Sequence, residues 1–403
     1  SMSSNQKATA WVVTSSAMGI NLILGLLYSW SVIKAVLVAE GWTNTEASLP
    51  YTVCVALLAF MTVFGGKLQD KFGPRVVALG GGILFGVGIF LSAFVHTPWM
   101  MVLTFGVVAG LGMGFAYSAA TPAAIKWFEP RKKGLIAGIV VAGIGISSIY
   151  MAPLTNYLLQ GNTVQGTFMI LGIIAIVFLS IFGAILHNPP ANYIPKAKEG
   201  AKVVAHSADF TWQAMMKRKP FYLLWATYFL SATAGLMLIG NIVSIARVQT
   251  GNPELNAFWL VMIFAAFNTS GRVLGGFLSD KMGRTTGLLI VFLLQAINMF
   301  VFSFYTSFPL LVVGFAVAGI AYGALFALFP AVTADFFGVK NLGVNYGIIF
   351  TSWGIAGIVG PILGGMVADI TGTYAGSYIV AGIMLLIGAL LVKLIKTPQQ
   401  EIK

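Results

Sequence analysis

The chain of 403 residues has little charge: Asp, Glu, Lys and Arg together make up 8% of it. Soluble domains carry about 25%. So few polar residues cannot cover a folded protein of this size in water. A soluble enzyme or binding module is excluded on that ground. Cys54 is the only cysteine, so neither an internal disulfide nor a two-cysteine metal site can form. Histidine is scarce (His96, His187 and His206), and the acidic residues number eleven. All of these lie in loops or at the ends of apolar runs. No nucleophile–base pair or metal cluster is therefore expected inside a run, and neither a membrane-embedded enzyme nor a resident metal or organic cofactor is anticipated.

What the chain does have is apolar length. Hydrophobic residues make up 58%, with 47 glycines, as suits closely packed helices in a bilayer. A helix needs about 20 apolar residues to cross the hydrocarbon core. Twelve runs qualify: 10–38, 48–66, 76–95, 99–122, 134–159, 167–187, 221–246, 255–277, 285–306, 308–333, 341–368 and 374–396. The first has no small-residue cleavage pattern, so it reads as a span and not as a removed signal peptide. The formal charge of +12 would suggest nucleic acid in a soluble protein. Here all but three of the 23 Lys and Arg residues lie in the N-terminal segment, the even-to-odd loops and the C-terminal tail; the exceptions are Lys34, Arg247 and Arg272. That asymmetry places both termini in the cytoplasm, with the protein multi-pass in the cell membrane.

The longest hydrophilic segment, 188–220, holds Lys196, Lys198, Lys202, Lys217, Arg218 and Lys219. It divides an N-terminal six-helix half, 1–187, from a C-terminal one, 221–403. As a cytoplasmic linker it lies along the anionic inner leaflet or serves as a solvated tether. The halves repeat. Gly66-Lys67-Leu68-Gln69-Asp70-Lys71-Phe72-Gly73-Pro74-Arg75 follows the second span, and Gly276-Phe277-Leu278-Ser279-Asp280-Lys281-Met282-Gly283-Arg284 follows the eighth. Asp280 stands 210 residues after Asp70. Further on, Gly110 matches Gly319, Trp127-Phe128 match Phe336-Phe337, and Gly134 and Gly138 match Gly343 and Gly347, all at an offset of 209. Parallel repeats with a site between them at mid-membrane are a transporter plan.

In these loops the first glycine (Gly66, Gly276) allows close helix approach and the second (Gly73, Gly283) a tight turn. Asp70 and Asp280 can pair with a cation or cap a helix N-terminus. The second copy has Thr285 where the first has Arg75, so the weaker charge network is expected there. These residues are expected to set the closure of the cytoplasmic side and not to touch substrate. The loop resembles the signature of the major facilitator superfamily. Tyr28-Ser29-Trp30-Ser31, and Trp127-Phe128-Glu129-Pro130-Arg131-Lys132-Lys133-Gly134-Leu135, narrow the resemblance to the monocarboxylate porter family, including its bacterial oxalate–formate antiporter branch. The resemblance implies an all-α membrane protein of twelve transmembrane helices in two pseudo-symmetric six-helix halves. It also implies transport of small carboxylates, often with a proton.

Arg272 lies inside the eighth run. A charge there costs about 2.5–3.5 kcal/mol even on the lenient insertion scale. A substrate carboxylate would partner it, and Arg suits bidentate recognition of carboxylates. The competing reading is snorkelling toward the interface, where Asp280 is eight residues on. The repeat counterpart of Arg272 is Thr62, so the fold itself needs no cation there. Asn268, four residues earlier, shares its helix face. In animal members of the resembling family an aspartate often holds that place; Asn268 cannot titrate, which argues against a proton relay through the pair. Oxalate-type relatives are expected to carry a lysine near Trp353, and none is present. One cation balances one carboxylate, so a lactate- or pyruvate-like anion is expected in place of oxalate. Tyr117, Tyr322, Phe326, Tyr28 and Leu27 are the further candidates for a pocket, with tyrosine hydroxyls for the second carboxylate oxygen and apolar surface for the rest. Packing or an interfacial belt is the alternative role for these residues. The expected function is secondary transport by alternating access, with a proton as the coupling ion, by a functional monomer. An anion exchanger of the oxalate/formate type is the alternative.

Overall fold

The computed structural model describes residues 4–193 and 208–398. Among them are twelve helices long and apolar enough to cross a membrane: α1 Ser4–Ala39, α2 Thr45–Phe72, α3 Pro74–Phe94, α4 Pro98–Ile125, α5 Pro130–Gly161, α6 Val164–Ile185, α7 Lys219–Ile239, α8 Phe258–Met282, α9 Arg284–Phe304, α10 Phe308–Phe337, α11 Leu342–Thr371 and α12 Ala375–Lys393. No strand occurs among the described residues. Lys196, Lys198 and Lys202 of the linker lie outside them.

The helix ends follow local chemistry. At the start of α2, the Thr43 hydroxyl accepts from the Glu46 N–H at 3.1 Å while Glu46 Oε1 accepts from the Thr43 N–H at 3.0 Å, a complete capping box. Thr163 caps α6 by accepting from the Gly166 N–H at 3.1 Å. Gly73 and Gly283 turn the chain between α2 and α3 and between α8 and α9 with φ of +90° and +98°, a region that disfavours side chains. The seventh span is shorter than the expected 221–246. The helix ends at Ile239, and a separate helix, Ile242–Thr250, begins beyond Gly240 and Asn241. Glycine followed by a polar residue breaks a run that composition alone makes continuous.

Two spans contain non-α turns. In α1, Gly25–Ser29 is a 3-10 stretch. In α4, Val102–Val108 is π-helical. A π-turn accommodates one extra residue within a helix. It lies between the part of the chain where the repeats are offset by 210 and the part where they are offset by 209, and so accounts for the change of register.

Two compact units are present. One comprises Ser1–Pro130, Ile139–Asp209 and Gly338–Ile348; the other comprises Arg131–Gly138, Phe210–Phe337 and Ile349–Lys403. In the first, α2 and α3 pack on α4, and α1 and α3 pack on α6; in the second, α8 and α9 pack on α10, and α7 and α9 on α12. The same pairing pattern thus occurs twice. The outward faces are apolar, unlike those of a soluble bundle. On α9, Ile290, Leu293, Leu294 and Ile297 face outward, whereas Gln295 and Asn298 are buried. An apolar outward face with the amides turned inward is what a lipid solvent selects.

Candidate substrate site and the capping loops

Asn268 and Arg272 sit one turn apart on α8. Glycines bring α10 against them: a Cβ at Gly323 would collide with the Asn268 carbonyl, and one at Gly271 with that of Ile320. Arg272 is only 3% exposed. Its Nε donates to Asn268 Oδ1 at 3.3 Å, and its guanidinium carbon lies 4.4 Å from the centroid of the Phe326 ring. The side chain is thus directed back toward the N-terminal end of α8. Asp280, the snorkelling target, lies the other way and is held by different groups. A cation over an aromatic face contributes about 0.5–2 kcal/mol, which offsets part of the burial cost.

Phe326 belongs to an aromatic group. It meets Tyr322 edge-on at 5.2 Å and Trp353 at 6.0 Å, and Trp353 stacks on Phe350 at 5.0 Å with 10° between the planes. Trp353 Nε1 donates to Tyr322 Oη at 2.9 Å. The structure therefore brings together four of the candidates named from sequence: Arg272, Asn268, Tyr322 and Phe326. It adds Trp353 and Phe350, which the sequence reading did not count as site residues; their i, i+3 spacing in an apolar helix was the available signal. The other three candidates belong to the first unit. Leu27 and Tyr28 lie on the 3-10 stretch of α1, with Leu27 4% exposed and Tyr28 partly exposed, and Tyr117 on α4 is 6% exposed. An aromatic wall around one buried guanidinium can hold a small anion by its charge while covering its apolar part.

The repeated loops cap helices. In the first unit, Asp70 accepts from the N–H groups of Gly343 and Val344, at 3.0 and 2.9 Å, at the start of α11. In the second, Asp280 accepts from Gly134 and Leu135, at 2.8 and 2.9 Å, near the start of α5. A carboxylate on a helix N-terminus is favoured by both the orphan donors and the dipole. Gly66 lies so close to Gly343, and Gly276 to Gly134, that a Cβ on either would strike the opposing carbonyl. Gly138 and Gly347 are pressed in the same way on the backbones of Arg272 and Thr62.

The second loop, expected to have the weaker network, has the stronger one. Arg284 pairs with Asp280, donates from Nε to Asp335 at 2.9 Å and from Nη1 to Ser279 Oγ at 2.7 Å; Lys133 reaches Asp335 at 3.8 Å. The working base is Arg284, whose counterpart in the first loop is Pro74, and proline has no charge to offer. Arg75 is exposed. In place of an arginine, the first loop has Lys126 near Asp70 and Asp209. Burial lowers the pKa of its ammonium, and the two carboxylates pull it back up.

Twelve apolar helices of spanning length, packed alike in two units, with a buried cation on α8, have the build of a secondary transporter. The description Major Facilitator Superfamily matches residues 9–297 and 224–403, and the chain belongs to that superfamily. It is similar to the oxalate:formate antiporter of Oxalobacter formigenes, 29% identical over 86% of this chain and 82% of that protein. It is also similar to monocarboxylate transporter 13 of Rattus norvegicus, 27% identical over 94% and 87%. Among solved structures, the human organic anion transporter MFSD10 (TETRAN) has a TM-score of 0.72 at 13% identity, covering 97% of this chain and 100% of that one. That likeness concerns the fold.

Proposed function

We propose that this transporter moves a small monocarboxylate, lactate- or pyruvate-like, together with a proton, by alternating access. The observation that carries the reading is Arg272: a buried guanidinium on α8, steadied by Asn268 and seated on Phe326. In a membrane interior such a cation is stabilised by an anion, and a carboxylate matches its two-pronged donor geometry. The names of the relatives, a monocarboxylate transporter and an oxalate:formate antiporter, agree with a small carboxylate as cargo. No Lys or Arg occurs in α11, so a second cation for a dianion is not supplied there, which favours a monoanion over oxalate. One carboxylate and one proton move no net charge, and the proton can ride on the substrate carboxyl beside Arg272. Leu27, Tyr28 and Tyr117 stand as further substrate contacts on sequence grounds and are to be tested singly by substitution. The working unit is proposed to be a monomer in the cell membrane with cytoplasmic termini. The loop aspartates steady one closed arrangement and do not meet substrate.

The test is uptake of labelled L-lactate into proteoliposomes by the wild type and Arg272→Ala. Loss of uptake in a variant that still purifies as a stable monodisperse protein supports the site. Retained uptake removes Arg272 from it.

A further inference from the structure

A second polar feature of the second unit lies behind Tyr322. Asn298 Nδ2 donates to the Gly314 carbonyl at 3.0 Å and to Gln295 Oε1 at 3.1 Å, and Tyr305 Oη donates to Asn298 Oδ1 at 3.0 Å. The Gly314 carbonyl can only accept. It therefore fixes the amide nitrogen of Asn298 on its side, and that nitrogen fixes the oxygen of Gln295 toward Asn298. The Gln295 amide nitrogen is left without a protein partner, on a side chain 3% exposed. A buried amide donor left so costs about 1–3 kcal/mol.

Gln295 lines a small cavity with Ser231, Gly235, Phe292, Tyr322 and Leu385 among its neighbours. The cavity has room for about one water molecule. The Ser231 hydroxyl donates to the Thr227 carbonyl at 2.8 Å, so its oxygen keeps a lone pair for a donor from the cavity. No lining residue carries a charge, so an ion would be desolvated there without compensation. The guest that fits accepts from Gln295 and donates to Ser231: it is neutral, water-sized and both donor and acceptor. The repeat shows that the fold does not need this polarity. At the place corresponding to Gln295, 210 residues earlier, stands Phe85, fully buried, and Gly88 stands at that of Asn298.

We propose that this cavity is a hydration site, one buried water bridging Gln295 Nε2 and Ser231 Oγ, and that Gln295 is a positioning residue for Tyr322. The Tyr322 ring is backed by Gly235, where a Cβ would come within 2.7 Å of it, and its hydroxyl accepts from Trp353. The water completes the support behind the ring. This second statement rests on the site reading above; the first does not.

The experiment is a structure of the full-length protein in a lipid nanodisc at a resolution that shows ordered water. One solvent peak within hydrogen-bond distance of both Gln295 Nε2 and Ser231 Oγ is expected. No peak, or a Gln295 amide turned onto a protein acceptor, overturns the hydration site. Gln295→Met is then compared with wild type in L-lactate transport. KM is expected to rise roughly fivefold, the size of one neutral hydrogen bond, with the maximal rate per folded protein unchanged. An unchanged KM, or a fall in maximal rate alone, overturns the positioning role. Should that variant not fold, Ser231→Ala removes the acceptor together with the hydroxyl's own bond to the Thr227 carbonyl, which already lies within the helix ladder, and is read the same way. A wild type that transports no monocarboxylate defeats the site reading, while the solvent peak still decides the hydration site.

Discussion

The two capping loops differ enough to give unequal costs for the same substitution. Asp280→Asn leaves one oxygen for the two N–H groups of Gly134 and Leu135, both within 2.9 Å, and removes the charge facing Arg284. A hydrogen bond to a charged group contributes about 1.5–3 kcal/mol, and breaking a buried ion pair from one side costs about 3–5 kcal/mol. Arg284 keeps Asp335, whose side chain is 29% exposed, so the low end of that range, about 3 kcal/mol, is expected. Asp70→Asn loses about one charge-assisted bond to Gly343 or Val344 and leaves behind Lys126, which also faces Asp209 and, unlike an arginine, can shed its proton, so about 1.5–2 kcal/mol is expected. The assay is thermal unfolding of both variants in one detergent. Asp280→Asn should melt clearly below Asp70→Asn, and Arg284→Met added to Asp280→Asn should recover part of the loss, because no buried charge is then stranded. An Asp70→Asn protein that melts at or below Asp280→Asn refutes the ranking of the two networks.

Three further outcomes are expected. Asn268→Asp places a titrating carboxyl against Arg272, where it competes with substrate when ionised; uptake should become more steeply pH-dependent and fall as pH rises, and an unchanged profile counts against the hydrogen bond to Asn268. Trp353→Phe keeps the stack on Phe350 but loses the donor to Tyr322 Oη, so lactate KM should rise while the melting temperature shifts little; unaltered transport would remove Trp353 from the group. Arg272→Lys keeps the charge but not the planar fork and should transport far worse than wild type, whereas full activity would show that charge alone suffices.

Span number, the loop repeat and the buried arginine were legible in the sequence because each breaks a simple statistical expectation: uninterrupted apolar length, repeated glycine–aspartate spacing, and a cation within an apolar run. The break at Gly240–Asn241 was not, because the residues beyond it are again apolar and hydropathy does not register a two-residue interruption. The role of Arg284 is not legible in the sequence because motif position points to the base at 75 and its counterpart, whereas reach decides: a base one residue earlier meets Asp280, Ser279 and Asp335, while Arg75 is exposed. The change of offset was visible as a number, but only a π-turn in α4 gives it a cause. Trp353 and Phe350 were hidden because aromatic residues in an apolar helix look alike until a hydrogen bond distinguishes one of them.

The central claim is that one buried cation selects one carboxylate. The measurement that tests it most directly is uptake of labelled L-lactate and of labelled oxalate into proteoliposomes containing the wild type, with and without an inward proton gradient. Lactate uptake stimulated by the gradient, without oxalate uptake, is predicted. Oxalate uptake would contradict the claim, and lactate uptake that depends only on anion inside the vesicle would establish an exchanger in place of a proton symporter.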